Sequence, residues 1–150
     1  MTKVRLIPVR AKMPKEEAYY RPSVEHTGRG DLLCYDGYGG RWFRSSRQAV
    51  EEAVDHLLEQ YENGEWINYN DLYMLLGMAE SDFGEQNGWS PSEDWKVNLG
   101  FIIDFATKEE HRKNKENNPD MRHYFKWIDE DFLIVEPEPG AWPTGCYWEV

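Results

Sequence analysis

Long apolar runs are missing from this 150-residue chain, which nowhere approaches the ~18 consecutive apolar residues of a membrane span. The N-terminal stretch MTKVRLIPVRAKMPKEE is basic but has no continuous apolar segment, so no secretory signal is expected and the expected location is the cytoplasm. Cysteine is scarce. Cys34 and Cys146 lie far apart and form no metal-ligand spacing, and in a reducing compartment two free thiols are the expectation. His26, His56, His111 and His123 are scattered, with no i, i+2, i+3 or i+4 pair that would converge locally on a metal. A zinc site would have to be gathered from distant ligands such as His26, Cys34 and Cys146, which is disfavoured. No cofactor and no metal are therefore expected. Internal repeats are also absent, and the length suits one domain with one core.

Cations are the other shortage. The chain has 17 Lys and Arg against 28 Asp and Glu, a net charge of −11. The imbalance is not even along the chain. Residues 1–50 carry an excess of cations, and the remaining hundred carry the whole acidic surplus. One reading is an arm that packs on its own body, with the surplus serving solubility. The other is an acidic face that attracts a basic partner.

What is abundant is aromatic: seven Trp, nine Tyr and six Phe. A small core cannot take them all, so some are expected at the surface, where Trp and Tyr favour binding patches. Around them the pattern predicts an α+β domain, with two to three helices packed on an antiparallel sheet. Residues 1–30 read as a basic, partly irregular arm in which Val4–Val9 is β-prone. Leu32–Tyr35 and Arg41–Arg44 flank Asp36-Gly37-Tyr38-Gly39-Gly40, a hairpin signal. Val50, Val54, Leu57, Leu58 and Tyr61 form a helical stripe, capped by Ser45 or Ser46 and stopped at Asn63-Gly64. If Ser45 is the cap, Gln48 completes a capping box.

Asn68 or Asn70 caps a second helix closed by Gly77, and a third turn is expected over Glu80–Gln86. Trp95–Leu99 and Phe101–Phe105 alternate like strands around Gly100. Tyr124–Ile128 and Phe132–Val135 read as a second hairpin about Asp129-Glu130-Asp131, and residues 137–150 as an extended aromatic tail docked by Trp142, Tyr147 and Trp148.

No catalytic constellation stands out. Asp55-His56 and Ser45-Ser46 lack a nucleophile-elbow setting. The glycine-rich turn lacks the Gly-Lys-Ser/Thr ending of a phosphate loop. The acidic tripeptide 129–131 could hold a divalent cation, but more often such a tripeptide is a soluble turn. Tyr19-Tyr20-Arg21 and Arg41-Trp42-Phe43-Arg44 interleave rings and cations, a weak nucleic-acid signature that the acidic body opposes.

The run Tyr61–Met78, followed by Ser81–Ser90, resembles a family of small proteins encoded by phages and prophages of Gram-positive bacteria. Asn70, Asp71, Tyr73, Leu76, Gly77, Gly84, Gly88 and Trp89 carry the resemblance, which covers about residues 46–106. On that comparison residues 1–44 and 107–150 look like additions. The family brings no activity with it, and the matching residues are of the kinds that cap, stop and pack helices. The resemblance implies a phage accessory protein in a host cytoplasm: a non-catalytic inhibitor or modulator of a host protein. One form would be an anti-CRISPR protein whose acidic face mimics DNA toward a basic, guide-RNA-directed nuclease. The contacts expected on this reading are Glu109, Glu110, Asp129, Glu130 and Asp131. The alternatives are a structural or assembly protein of the virion, and a metal-dependent hydrolase.

Overall fold

The computed structural model describes residues 23–93, 96–107, 109–110 and 130–143. Three short strands come first: β1 (Val24–His26), β2 (Leu32–Asp36) and β3 (Arg41–Ser45). Helix α1 (Arg47–Glu62) follows, then β4 (Ile67–Asn68), α2 (Tyr69–Leu76), α3 (Asp82–Gln86) and β5 (Gly88–Trp89). Two longer strands, β6 (Phe101–Ala106) and β7 (Phe132–Pro137), complete a five-stranded sheet in the order β1-β3-β2-β7-β6. The fold is α+β, as the pattern predicts. The sheet is mixed rather than purely antiparallel, because β1 runs parallel to β3 and β2 parallel to β7.

Local chemistry fixes the helix ends. Ser46 accepts from the Ala49 N–H at 3.1 Å and caps α1. Ser45 is instead the buried last residue of β3, and Gln48 reaches Glu52 rather than forming a capping box. Asn63 closes the helix and Gly64 turns left-handed after it, at φ +88°. Asn68 and Asp71 form a reciprocal capping box on α2, and Gly77 ends that helix at φ +87°. Arg29 then donates to the exposed Leu75 carbonyl at this helix end.

Both faces of the sheet are buried. Toward the helices, Cys34, Phe43, Leu133 and Val135 meet Val50, Val54, Leu57 and Tyr61 of α1 and Leu72, Tyr73 and Leu76 of α2. On the other face, Leu33, Trp42 and Phe132 form a second cluster, in which Trp42 packs 4.4 Å from Tyr35 and 5.0 Å from Phe132 between ring centroids. Burial on both sides explains why LLCY and FLIV are near-continuous apolar runs rather than strict alternations.

Two further expectations change. The irregular arm contributes a strand, because residues 24–26 pair with β3. Residues 96–99 form no strand. Their backbone turns to a side chain instead: Val97 N–H donates to the buried Tyr61 hydroxyl at 3.0 Å, and that oxygen lies 3.3 Å from the Ser90 and Val97 carbonyls. Strand β7 lies between β2 and β6. The other half of the expected second hairpin, residues 124–128, lies outside the described residues, as do Val4–Val9, Tyr147 and Trp148. Among the described residues, no helix is long and apolar enough to cross a membrane.

Candidate functional site

Helix α1 separates its residues by period. Val50, Ala53, Val54, Leu57 and Tyr61 face the core, while Glu51, Glu52, Asp55, Glu59 and Glu62 are exposed. Glu52, Asp55, Glu59 and Glu62 follow an i, i+3, i+7, i+10 row about 15 Å long at 1.5 Å per residue. Arg47 pairs with Glu51 at 3.0 Å and Lys96 approaches Glu62 at 3.7 Å, but no cation stands beside Asp55 or Glu59 among the described residues. The placement also opposes the helix dipole. The first turn begins with Arg47 and holds no acid, whereas the last turn holds Glu59 and Glu62, where the partial charge is already negative. Acids in such positions each cost about 0.3–1 kcal/mol, so fold stability does not account for them.

The surplus extends beyond this helix. Each Lys and Arg among the described residues is already engaged. Arg29 holds the Leu75 carbonyl, and Arg41 pairs with Glu25 while donating to the Ala79 carbonyl at 2.9 Å. Arg44 pairs with Glu130, Arg47 with Glu51, and Lys96 with Glu62. The basic-aromatic run 41–44 is therefore spent on the fold: its two arginines are ion-paired, and Trp42 and Phe43 are buried in the two opposite clusters.

The acids singled out from sequence fare unequally. Glu109, Glu110 and Asp131 are exposed; Asp129 lies outside the described residues. Glu110 and Thr107 bond reciprocally, N–H to Oγ1 at 3.1 Å and Oγ1 to carboxylate at 3.0 Å. Glu130 is bidentate to Arg44, at 2.8 and 3.1 Å, and its hydrogen bonds are the main reason the guanidinium is held more firmly charged. Both partners are partly exposed, so Glu130→Gln is expected to cost no more than about 1 kcal/mol in urea unfolding.

Among the described residues the geometry assembles neither metal reading, and Asp129 and Cys146 lie outside them. Glu130 is committed to Arg44, and no group of three metal-ligating side chains occurs among the described residues. Cys34 lies in the helix-side core with Phe43, whereas His26 pairs with Arg44 in register and is exposed. They sit on opposite faces of the sheet and cannot share an ion. Burial pushes the Cys34 thiol up to about 12, leaving it an inert core group.

A constellation not visible in the sequence gathers at the β2–β3 turn. Asp36 is buried beneath it. Its Oδ1 accepts from the Tyr38 and Gly39 N–H groups at 3.1 and 2.9 Å, and its Oδ2 from the Tyr73 hydroxyl at 2.6 Å. Burial raises the carboxyl above its ordinary range and outweighs these bonds and the nearby Arg41 charge. Arg41 stacks over the Tyr73 ring at 4.3 Å. Above the turn, the Tyr38 ring packs 5.3 Å from Tyr69, 5.4 Å from Phe83 and 4.7 Å from Trp142. Phe83 and Trp142 remain 38% and 44% exposed. Trp142 is pinned rather than loose, because its indole N–H donates to the Pro137 carbonyl at 3.0 Å. The Asp-Gly turn signal marked the place, but the rings that surround it come from distant parts of the chain.

Fold and surface together define an acidic α+β domain in which, among the described residues, exposed carboxylates greatly outnumber the cations. The chain belongs to a family of unknown function, DUF6353, whose model matches residues 8–126. That match makes residues 8–44, of which β1, β2 and most of β3 are strands of the sheet, part of the shared domain rather than an addition. No curated protein and no solved structure matches the chain.

Proposed function

We propose that the protein is a binding module whose exposed α1 carboxylates dock a basic protein partner. The observation that carries this reading is the acidic row at Glu52, Asp55, Glu59 and Glu62, which continues into the unfavourable end of the helix dipole. Charge kept at a cost to the fold is explained by a cationic surface elsewhere. Support also comes from the described Lys and Arg, each of which is committed to an internal contact. The partner class that fits is a basic nucleic-acid-binding protein. In the phage setting that the sequence resemblance implies, this would be a host nuclease held by an inhibitor.

The test is capture from host lysate with tagged wild-type protein and with an Asp55→Asn, Glu59→Gln, Glu62→Gln variant. The wild type is expected to retain a basic protein at low salt and release it at high salt, with the variant retaining about tenfold less. Recovery of virion components, or equal recovery by the variant, would overturn the proposal. The variant is expected to be at least as stable as wild type, because it removes acids from the end of a helix.

A further inference from the structure

The aromatic corner at the β2–β3 turn has no part in the acidic row, and its chemistry is specific. Tyr38 and Trp142 stand nearly perpendicular, at 86°, and Phe83 is tilted 45° to Tyr38. Both outer rings keep more than a third of their surface in water. A ring face carries negative potential and attracts a cation laid over it. The protein already uses this contact within its own fold: Arg41 lies over Tyr73, Arg47 over Phe105 at 5.5 Å and Lys96 over Tyr61 at 5.5 Å. No Lys or Arg among the described residues stands over Phe83 or Trp142.

Charge around the corner points the same way. Asp82 and Glu85 flank Phe83 and are exposed, and neither has an ion pair among the described residues. Glu138, four residues before Trp142, is exposed as well, with its carboxylate lying over Gly100. The Glu136 carboxylate lies against Gly37, next to Tyr38 in the chain, and burial together with the Asp36 charge raises it above its ordinary range. The corner thus joins partly exposed rings to carboxylates that have no ion pair among the described residues.

We infer that the corner formed by Tyr38, Phe83 and Trp142 receives a guanidinium group, an arginine side chain of the basic partner. Guanidinium is the better fit than ammonium. It is planar, it is weakly hydrated so that stacking on a ring costs it little water, and its edge still donates to a neighbouring carboxylate while its face lies on the ring. The inference rests on the reading of the protein as a binder of a basic partner, and adds where one side chain of that partner anchors.

The test uses hexa-arginine and hexa-lysine peptides as probes, titrated calorimetrically into wild type, into Phe83→Leu and Trp142→Leu, and into the Asp55, Glu59, Glu62 variant. Leucine keeps the apolar bulk and removes only the ring face. Wild type is expected to bind hexa-arginine more tightly than hexa-lysine. Each leucine variant should lose about three- to fivefold for hexa-arginine and almost nothing for hexa-lysine. The α1 variant should weaken both peptides alike. The Trp142 indole N–H resonance, identified by its loss in Trp142→Leu, should move with hexa-arginine and much less with hexa-lysine.

Leucine variants that leave hexa-arginine unchanged, or that weaken both peptides equally, would overturn the corner. The acidic-surface reading would survive either result provided the α1 variant still weakens both peptides. Binding that ignores the α1 substitutions yet depends on the rings would sink that reading and leave the corner standing.

Discussion

Asp36→Ala is expected to destabilise the protein by about 3–5 kcal/mol, because three donors lose their acceptor beneath a buried turn. The Tyr73 hydroxyl is the most costly of these, being fully enclosed, and the Tyr38 and Gly39 N–H groups hold the hairpin closed. Asp36→Asn should behave differently. Its Oδ1 keeps the two backbone bonds, and its amide can donate to the Tyr73 oxygen, so the network survives without a charge.

The comparison also has a pH signature. Burial raises the Asp36 carboxyl in the folded protein above its ordinary value of 3.8, which the unfolded chain retains. Between those two values the folded state binds more protons than the unfolded state. This group's contribution is therefore fully present below pH 3.8 and is lost as pH rises through the folded value. Urea unfolding of wild type and Asp36→Asn, from neutral pH down to about pH 4, should show wild type gaining on the variant as the solution becomes more acidic. Parallel curves would contradict a desolvated carboxyl at this position.

Gly84→Ala is the second large effect, and its sign is unusual. Alanine within a helix ordinarily stabilises by about 1 kcal/mol over glycine. Here a Cβ would stand 2.7 Å from Asn70 Cγ and 3.0 Å from the Asn70 backbone nitrogen, and would overlap the amide oxygen. Asn70 cannot step aside. Its Nδ2 donates to the Ser81 carbonyl at 3.0 Å and its Oδ1 accepts from the Ser81 N–H at 2.9 Å, so this one amide locks the start of α3 onto α2. Overpacking and the loss of one of these bonds together are expected to cost about 2–4 kcal/mol, read as a lower urea midpoint. Gly140→Ala, where nothing lies within 4 Å of the added carbon, should leave the midpoint unchanged.

These two sites also mark where the sequence is and is not readable. Helix α1 was legible because its stripe, its serine cap and its Asn-Gly stop all lie within one stretch of chain. The β2–β3 hairpin was legible for the same reason. Asn70 looked like a cap because asparagine favours that role, yet Asn68 took the cap and Asn70 became a clasp between helices, a choice set by tertiary contact. The parallel pairings of β1 with β3 and of β2 with β7 join segments far apart along the chain, and no local pattern announces them.

Of the candidate contacts, Glu109, Glu110 and Asp131 are exposed as expected, while Glu130 is held by an arginine from β3. The outward acids of α1 were plain as the wet side of a helix. Their significance emerged only once the described cations were seen to be engaged, with only Arg47 and Lys96 on acids of this helix.

The most direct measurement is the affinity of the captured basic partner for wild type and for the Asp55→Asn, Glu59→Gln, Glu62→Gln variant across a salt series. Wild type should bind more tightly at low ionic strength and lose affinity more steeply, with the two curves meeting as screening removes the charge. Two curves of equal height and slope would mean that the α1 carboxylates take no part in recognition.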